Sequence, residues 1–188
     1  SQGKGIVFDD LIHLGGDEVD YSCWDSTPSI QNWKSVNGFS TDRTFQYFIQ
    51  RVDKIVRNRG RTPIFWADAF DKLKKYDIKS IFPKDTIFHI WWPSYMDRIS
   101  AAGYRILRSR PEGNWYLDNT ESTWKNAYGE DPCGGLAPSA SCSLVLGGGG
   151  AAWGEKVDSS NLESIVWPRM AAIAERLWSP LSVKDVEA

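Results

Sequence analysis

Charge of one sign is scarce in this sequence. Its 188 residues carry 22 Lys and Arg against 24 Asp and Glu, a net charge of −2, and so present no basic field to a nucleic-acid backbone. Long apolar runs are missing too, none approaching the roughly 18 residues of a membrane-spanning helix. Neither nucleic acid nor a membrane span is expected. Histidine is limited to His13 and His89. Neither stands in a spaced set of Cys, His and carboxylates, so no metal and no cofactor is expected, and both read as core histidines. There is no Asn-x-Ser/Thr sequon to support secretion, and Ser1–Asp10 lacks the basic-then-apolar order of a secretory leader. No solenoid repeat occurs, and Gly147–Gly150 is the sole low-complexity patch. With three cysteines, at 23, 133 and 142, at least one is unpaired within the chain. Cys133 and Cys142 bracket a Gly/Pro/Ser-rich stretch and either close a small surface loop or remain thiols.

What the chain does have is tryptophan, ten copies of it. Indoles usually fill cores, but flat apolar faces are also what sugar rings stack on. It also has one stretch around which the rest can be arranged. Leu11 to Leu14 have the length and character of a buried strand, Gly15-Gly16 permit a sharp turn, and Asp17-Glu18 then place two carboxylates side by side. Neighbours in a regular strand point to opposite faces, so the pair can share a pocket only where the backbone leaves the pleat. Taken alone, the pair is most simply a solvated acidic turn.

Residues 1 to 10 read as the end of a preceding loop or helix. Tyr21 to Ser40 read as a loop over the strand's mouth, with a short helix from Pro28 to Val36. An amphipathic helix follows, with Asp42 as its N-cap, Phe45, Phe48, Ile49, Val52, Ile55 and Val56 as its apolar face, and Gly60 as its end. Further strands are expected at Thr62–Ala67, Thr86–Trp91, Tyr104–Ser109 and Ser143–Gly148, and later helices at Pro93–Ala102 and Leu162–Trp178. Strands alternating with helices argue for an α/β fold with a parallel sheet, whose ligands lie at the strands' C-terminal ends.

His13-Leu14-Gly15-Gly16-Asp17-Glu18-Val19 resembles the signature of the glycoside hydrolase family 20 β-N-acetylhexosaminidases. Further matches follow in order: Phe65-Trp66, Trp115-Tyr116-Leu117-Asp118, Ala152-Trp153-Gly154-Glu155, Trp167-Pro168-Arg169 and Ala174-Glu175-Arg176-Leu177-Trp178. Together they span most of the chain. The resemblance implies a TIM (β/α)8 barrel with the carboxylate pair at the end of its fourth strand. The five visible strands are then strands four to eight, and residues 1–188 form a partial catalytic barrel domain whose first three βα units are absent. A complete barrel runs to roughly 250 residues.

Most retaining glycosidases hold two carboxyls about 5 Å apart across the scissile bond. Adjacent residues at one strand end are poorly placed for that. The resemblance implies instead that the substrate's own 2-acetamido oxygen attacks the anomeric carbon. Glu18 is then the general acid/base, Asp17 orients the acetamido N–H, and Tyr116 donates its hydroxyl to the acetamido oxygen. By the same likeness Trp66, Trp91 and Trp153 form aromatic walls, and Asp118 and Glu155 accept hydrogen bonds from distal sugar hydroxyls. Core packing competes with each tryptophan assignment and is the better reading of Trp92 and Trp124, which match nothing in the family.

The expected activity is exo-acting hydrolysis of terminal β-linked N-acetylglucosamine or N-acetylgalactosamine. Two other readings stand beside it: a non-catalytic carbohydrate-binding relative or inactive fragment, and a two-carboxylate glycosidase with Glu155 as nucleophile. Expected partners are N-acetylhexosaminyl glycans or glycoconjugates, the missing N-terminal part of the barrel, and a second copy in a homodimer. The expected location is lysosomal or secreted, since Cys23 falls where animal lysosomal members carry a cysteine bonded to one upstream; free thiols would equally suit a cytosol. Two departures bear on substrate choice more than on chemistry: Gly147–Gly150 stands where the family usually has Gly-Gly-Glu-Ala, and Phe65-Trp66-Ala67-Asp68 replaces Trp-x-Glu. A third is more serious, since the resemblance places the family's substrate-gripping arginine on the first strand, which these five strands are not expected to include.

Overall fold

The computed structural model describes residues 9–180, 182, 183 and 185. The sequence reading of residues 1–8 lies outside the described residues. Two compact units divide the chain, Ser1–Phe88 and His89–Ala188.

In the first unit, β1 (Leu11–His13) pairs in parallel with β2 (Thr62–Trp66), matching Leu11 with Thr62, Ile12 with Pro63 and His13 with Ile64. The Leu14 N–H extends the ladder to the Ile64 carbonyl at 2.8 Å. Contrary to the sequence reading, β1 is not buried: Leu11 is 40% exposed and Ile12 only half-covered. An apolar run implies burial only where both faces are covered, and within this unit β1 is paired along one edge.

Three helices join the two strands: α1 (Ser22–Ser26), α2 (Pro28–Asn37) and α3 (Thr41–Arg57). Pro28 opens α2 at a position where a missing N–H costs nothing. The cap of α3 is Ser40 rather than Asp42. Ser40 is extended, at φ −71° and ψ 168°, so its hydroxyl accepts from the Arg43 N–H at 3.2 Å, whereas Asp42 already lies in the first helical turn. The buried stripe of α3 is Phe45, Ile49 and Val56; Phe48 and Ile55, expected on that face, are 49% and 45% exposed. Arg57 ties the far end of α3 down, gripping Asp53 at 2.9 Å, Asp85 at 2.7 Å and the Thr86 hydroxyl at 2.9 Å.

Behind β2 come α4 (Ala67–Leu73) and α5 (Ile78–Ile81). Phe65, Phe70, Phe82 and Phe88 pack edge to face at 5.0–5.6 Å between ring centres. Each fully buried phenylalanine contributes roughly 1.5–3 kcal/mol relative to exposure. This cluster is the core that seats β2.

β3 (Ile87–Ile90) runs across the boundary between the units. In the second unit a 3₁₀ turn at Pro93–Tyr95 leads into α6 (Met96–Ala101). β4 (Arg105–Arg108) then pairs in parallel with β5 (Val145–Gly148). Their register slips between Ile106 and Leu107, leaving Leu146 as an extra residue. A Cβ on Gly148 would lie 2.1 Å from the Arg108 carbonyl oxygen and 2.8 Å from the Trp115 ring, so only glycine fits there. The expected Leu162–Trp178 helix is two helices, α8 (Leu162–Val166) and α9 (Arg169–Trp178). Pro168 divides them, because it lacks an N–H and forces the residue before it out of helical conformation; Trp167 sits at φ −99°, ψ 142°.

Trp115 is fully buried at the centre of this unit, packed with Leu117, Ala127 and Ile173, and its indole N–H donates to the Ala127 carbonyl at 2.9 Å. Ala127 lies on α7 (Trp124–Gly129). Cys133 and Cys142 are disulfide-bonded, with Cα atoms 5.4 Å apart, and Cys23 is a free, exposed thiol. Among the described residues, no helix is long and apolar enough to cross a membrane.

Arg169 is the second anchor. Its guanidinium donates to the carbonyls of Asn119 at 2.5 Å, Ser122 at 3.4 Å, Ile165 at 2.9 Å and Leu117. It thereby holds the segment after Trp115 against the last helices. Arg169→Met removes one donor group shared by four carbonyls, and each bond to a charged group is worth about 1.5–3 kcal/mol. The variant is expected to lose on the order of 3 kcal/mol in chemical denaturation. A loss below about 1 kcal/mol, no more than one ordinary hydrogen bond, would show these contacts to be incidental.

Candidate functional site

The backbone leaves β1 in left-handed steps. Gly15 has φ 70°, Gly16 φ 96° and Glu18 φ 42°, the last a side-chain-bearing residue in a region few such residues enter. At Gly16 the dihedral alone calls for glycine, since a Cβ there would make ordinary contacts with Ala69, Ile49 and Phe65 at 3.5–3.8 Å. The turn is tied to β2 by the Trp66 N–H, which donates to the Gly15 carbonyl at 2.9 Å. The strand alternation that would send Asp17 and Glu18 to opposite faces is therefore broken before the pair begins. Asp17 and Trp66 are half-buried and Glu18 is exposed.

His13 is not the core histidine the sequence suggested. It is exposed at the strand end, its Nδ1 accepts from the Gly15 N–H at 3.1 Å, and its ring meets Trp66 edge-on at 5.0 Å. Beyond the pair, the Lys72 ammonium donates to the Val19 carbonyl at 3.1 Å and lies 4.6 Å above the Tyr21 ring. Tyr21 in turn packs on Trp24 and Phe45 at 5.6 and 5.7 Å. Burial first, then the charge of Asp42, pushes the Tyr21 hydroxyl up to about 12, so it stays protonated. The carboxylate segment is thus fixed on both flanks.

The second unit holds the remaining candidates. Tyr116 bridges in parallel to Ala151, with the Leu117 N–H donating to the Ala151 carbonyl at 2.7 Å. This places the Tyr116 ring 6.0 Å from that of Trp153, inclined by 64°. Asp118 is half-buried beside Arg169, and among the described residues its buried Oδ1 has no hydrogen-bond partner. A buried acceptor left unpaired is costly unless something bound there donates to it. Trp91 is half-buried, its ring 5.7 Å from that of Trp92. Glu155 is exposed in a turn at 154–156. Trp92 and Trp124 are not core residues, being 45% and 40% exposed. Trp92 faces the Arg110 guanidinium at 4.8 Å, and Trp124 opens α7 beside a cleft of about 330 Å³ shared with Tyr128 and Pro168.

Three residues with a place near these groups carried no assignment from sequence. Arg169 sits inside the matched Trp-Pro-Arg stretch, which was signal enough to ask what it held. Lys72 reaches the carboxylate segment across 53 positions, and Arg110 stands two residues past β4 in an unmatched loop; neither leaves a pattern. Among the described residues, no group of three His, Cys, Asp or Glu side chains is placed to hold a metal ion.

These features define a class: an α/β protein with parallel strands, presenting carboxylates and aromatic faces just past the strand ends. Residues 4–181 match the glycosyl hydrolase family 20 catalytic domain, and the chain belongs to that family. It is 37% identical over 171 residues to beta-hexosaminidase 3 of Arabidopsis thaliana, covering 90% of this chain and 31% of that one. It is 35% identical over 187 residues to beta-hexosaminidase subunit beta of Homo sapiens, covering 95% and 32% respectively. The X-ray structure of Flavobacterium johnsoniae chitobiase aligns with a TM-score of 0.71 at 27% identity, over 93% of this chain and 26% of that one. The chain spans about a third of the length of the curated relatives it matches.

His13 supplies a pH test of the turn. Partial burial lowers its pKa from the ordinary 6.5, and the nearby Asp17 opposes this less strongly. The unfolded chain therefore binds this proton before the folded one as pH falls. Its contribution to stability is present above pH 6.5 and is lost as pH drops from there through the lowered folded value. The melting temperature of the parent is expected to decline more steeply below pH 6.5 than that of His13→Gln. Parallel acid limbs would remove His13 as the source.

Proposed function

We propose that this chain is the C-terminal part of the catalytic barrel of an exo-acting β-N-acetylhexosaminidase, contributing strands four to eight. The enzyme removes terminal β-linked N-acetylglucosamine or N-acetylgalactosamine with retention, using the substrate's acetamido group as nucleophile. The observation that carries this reading is the left-handed turn at Gly15, Gly16 and Glu18, which frees two adjacent carboxylates from the alternation of a strand. Two carboxylates so close suit a division of labour within one substrate-assisted step better than attack from opposite sides of a bond.

In the proposed reaction Asp17 accepts the acetamido N–H and stabilises the charge that grows there as the carbonyl oxygen closes on the anomeric carbon. Tyr116 donates to that oxygen. Glu18 protonates the departing glycosidic oxygen, then takes a proton from the water that opens the oxazolinium ring. Trp66, Trp91 and Trp153 serve as aromatic walls, and Asp118 and Glu155 as acceptors for the hydroxyls farthest from the scissile bond. The unpartnered Oδ1 of Asp118 supports its share of this assignment. The names of the curated relatives support the activity. Substrates are accordingly N-acetylhexosaminyl glycans or glycoconjugates, and assembly as a homodimer belongs to the same reading. The Cys133–Cys142 bond supports a lysosomal or secreted setting, where disulfides persist.

Two experiments test the reading. Residues 1–188 alone are expected to be inactive or insoluble on a chromogenic β-N-acetylglucosaminide, since open strand edges invite aggregation, and extension by the native upstream sequence is expected to bring activity. Full activity of residues 1–188 by themselves would sink the partial-barrel reading, and cleavage of the plain β-glucoside at equal rate would sink the acetamido mechanism. In the active protein, Glu18→Gln should cost about 10² to 10⁴ in rate on substrates with a sugar leaving group and far less on an activated phenol. Asp17→Asn should slow both alike. The same dependence on leaving group in both variants would overturn the division of roles.

A further inference from the structure

Arg110 lies in the second unit two residues beyond β4, and its guanidinium is shared between two aromatic faces. It stands 4.8 Å from the centre of the Trp92 ring and 4.9 Å from that of Tyr116. A guanidinium within about 6 Å of a ring centre is attracted to the ring's negative face, and its planar, weakly hydrated form suits stacking. The side chain is half-buried, and among the described residues it makes no ion pair that would draw it elsewhere. Arg108, two residues back at the end of β4, is committed differently, donating to the Asp131 carbonyl at 2.6 Å.

Tyr116 is therefore held on two sides. Its ring faces the Arg110 cation, and the Trp153 ring meets it at 6.0 Å and 64°. Its backbone is fixed by the bridge to Ala151. With the backbone set, what remains free in a tyrosine is the rotation that decides where the hydroxyl points. We infer that Arg110 is a positioning residue for the reaction: by clamping Trp92 and Tyr116 it fixes the direction of the Tyr116 hydroxyl toward the acetamido oxygen. The inference rests on the role proposed above for Tyr116 and gives that role its support. Misdirecting a group that must align a nucleophile costs rate rather than ground-state affinity.

The test uses the active form of the protein, extended upstream where activity requires it, with a chromogenic β-N-acetylglucosaminide as substrate. Tyr116→Phe comes first and should lower kcat by about 10²-fold, within the range for a misplaced reacting group. Arg110→Gln should lower kcat by about tenfold with KM nearly unchanged, and Arg110→Lys should recover part of the loss because the cation remains. Once the hydroxyl is gone, Arg110→Gln should cost less than about twofold more, since contacting residues that act as a unit do not add. Melting temperatures and near-ultraviolet circular dichroism check that each variant is folded; Arg110→Lys carries the test alone if Arg110→Gln is not. Impaired Tyr116→Phe beside fully active Arg110 variants would overturn the inference and leave the proposed mechanism standing. So would a tenfold loss from Arg110→Gln that persists undiminished in the Tyr116→Phe background. An unimpaired Tyr116→Phe would strike the mechanism itself, and the inference would fall with it.

Discussion

The carboxylate turn of the first unit hangs on a single backbone hydrogen bond made across two left-handed residues, a conformation that favours glycine. The Trp66 N–H reaches the Gly15 carbonyl at 2.9 Å where Gly15 and Gly16 turn left-handed, and Gly16 suits the turn by its dihedral, since a Cβ there would make only ordinary contacts with Ala69, Ile49 and Phe65. Those three neighbours come from α4, α3 and β2, so the turn lies against the elements packed behind β2. The turn in its place sets where the carboxylates emerge. Glu18 pays for this in conformation, holding φ 42° without the freedom of glycine. Such strain persists only where the surroundings over-determine it. Here Lys72, drawn to the Val19 carbonyl and the Tyr21 ring, supplies part of that determination from the far side.

The second unit solves a different problem, that of fixing a long loop without regular pairing. Between β4 and β5 the chain runs through 36 positions, from 109 to 144, with α7 as its one α-helix. Three devices hold it. Trp115 is swallowed whole and bonded through its indole N–H, Arg169 gathers three of the loop's carbonyls, those of Leu117, Asn119 and Ser122, and Cys133–Cys142 closes a further stretch. A buried arginine is tolerable here because its donors are matched by carbonyls in several directions, the condition under which a desolvated charge does not become a liability. The result is that Tyr116 and Asp118 flank the buried Leu117, whose N–H donates to the Ala151 carbonyl and whose own carbonyl is taken by Arg169.

The sequence made the elements and the carboxylate turn legible because both leave local marks. Strand-length apolar runs found β2 to β5 to within two residues, and two consecutive glycines before two acids announced a departure from the pleat. What it did not disclose was decided at a distance or by a competition between neighbours. Ser40 and Asp42 are both capable caps, and the choice fell to whichever stood in extended conformation. Phe48 and Ile55 are as apolar as Ile49 yet stay about half exposed, so periodicity alone overstated the buried face. His13 reads as a core residue because its neighbours are apolar, while its actual partner is a backbone N–H two residues on. Lys72 and Arg110 belong to no pattern, since a cation beside a ring is a fact of three dimensions.

The departure at Gly147–Gly150 can be placed in the same terms. Read against Gly-Gly-Glu-Ala, the missing carboxylate falls at Gly149 and the missing methyl at Gly150. The neighbouring positions are closed to side chains for different reasons. Gly147 takes φ 149°, Gly148 is pressed against the Arg108 carbonyl and Trp115, and at Gly150 a Cβ would meet Met170 at 2.9 Å and Ile173 at 3.0 Å. At Gly149 nothing lies within 4 Å of where a Cβ would stand. The backbone thus retains an open seat at the one position from which the carboxylate is absent, and is crowded on both sides of it. The loop of this chain therefore has room for a side chain at Gly149. Whatever that carboxylate contributes to the choice of substrate, its absence here is a change of chemistry at one point, with the walls around it set by Trp115, Met170 and Ile173.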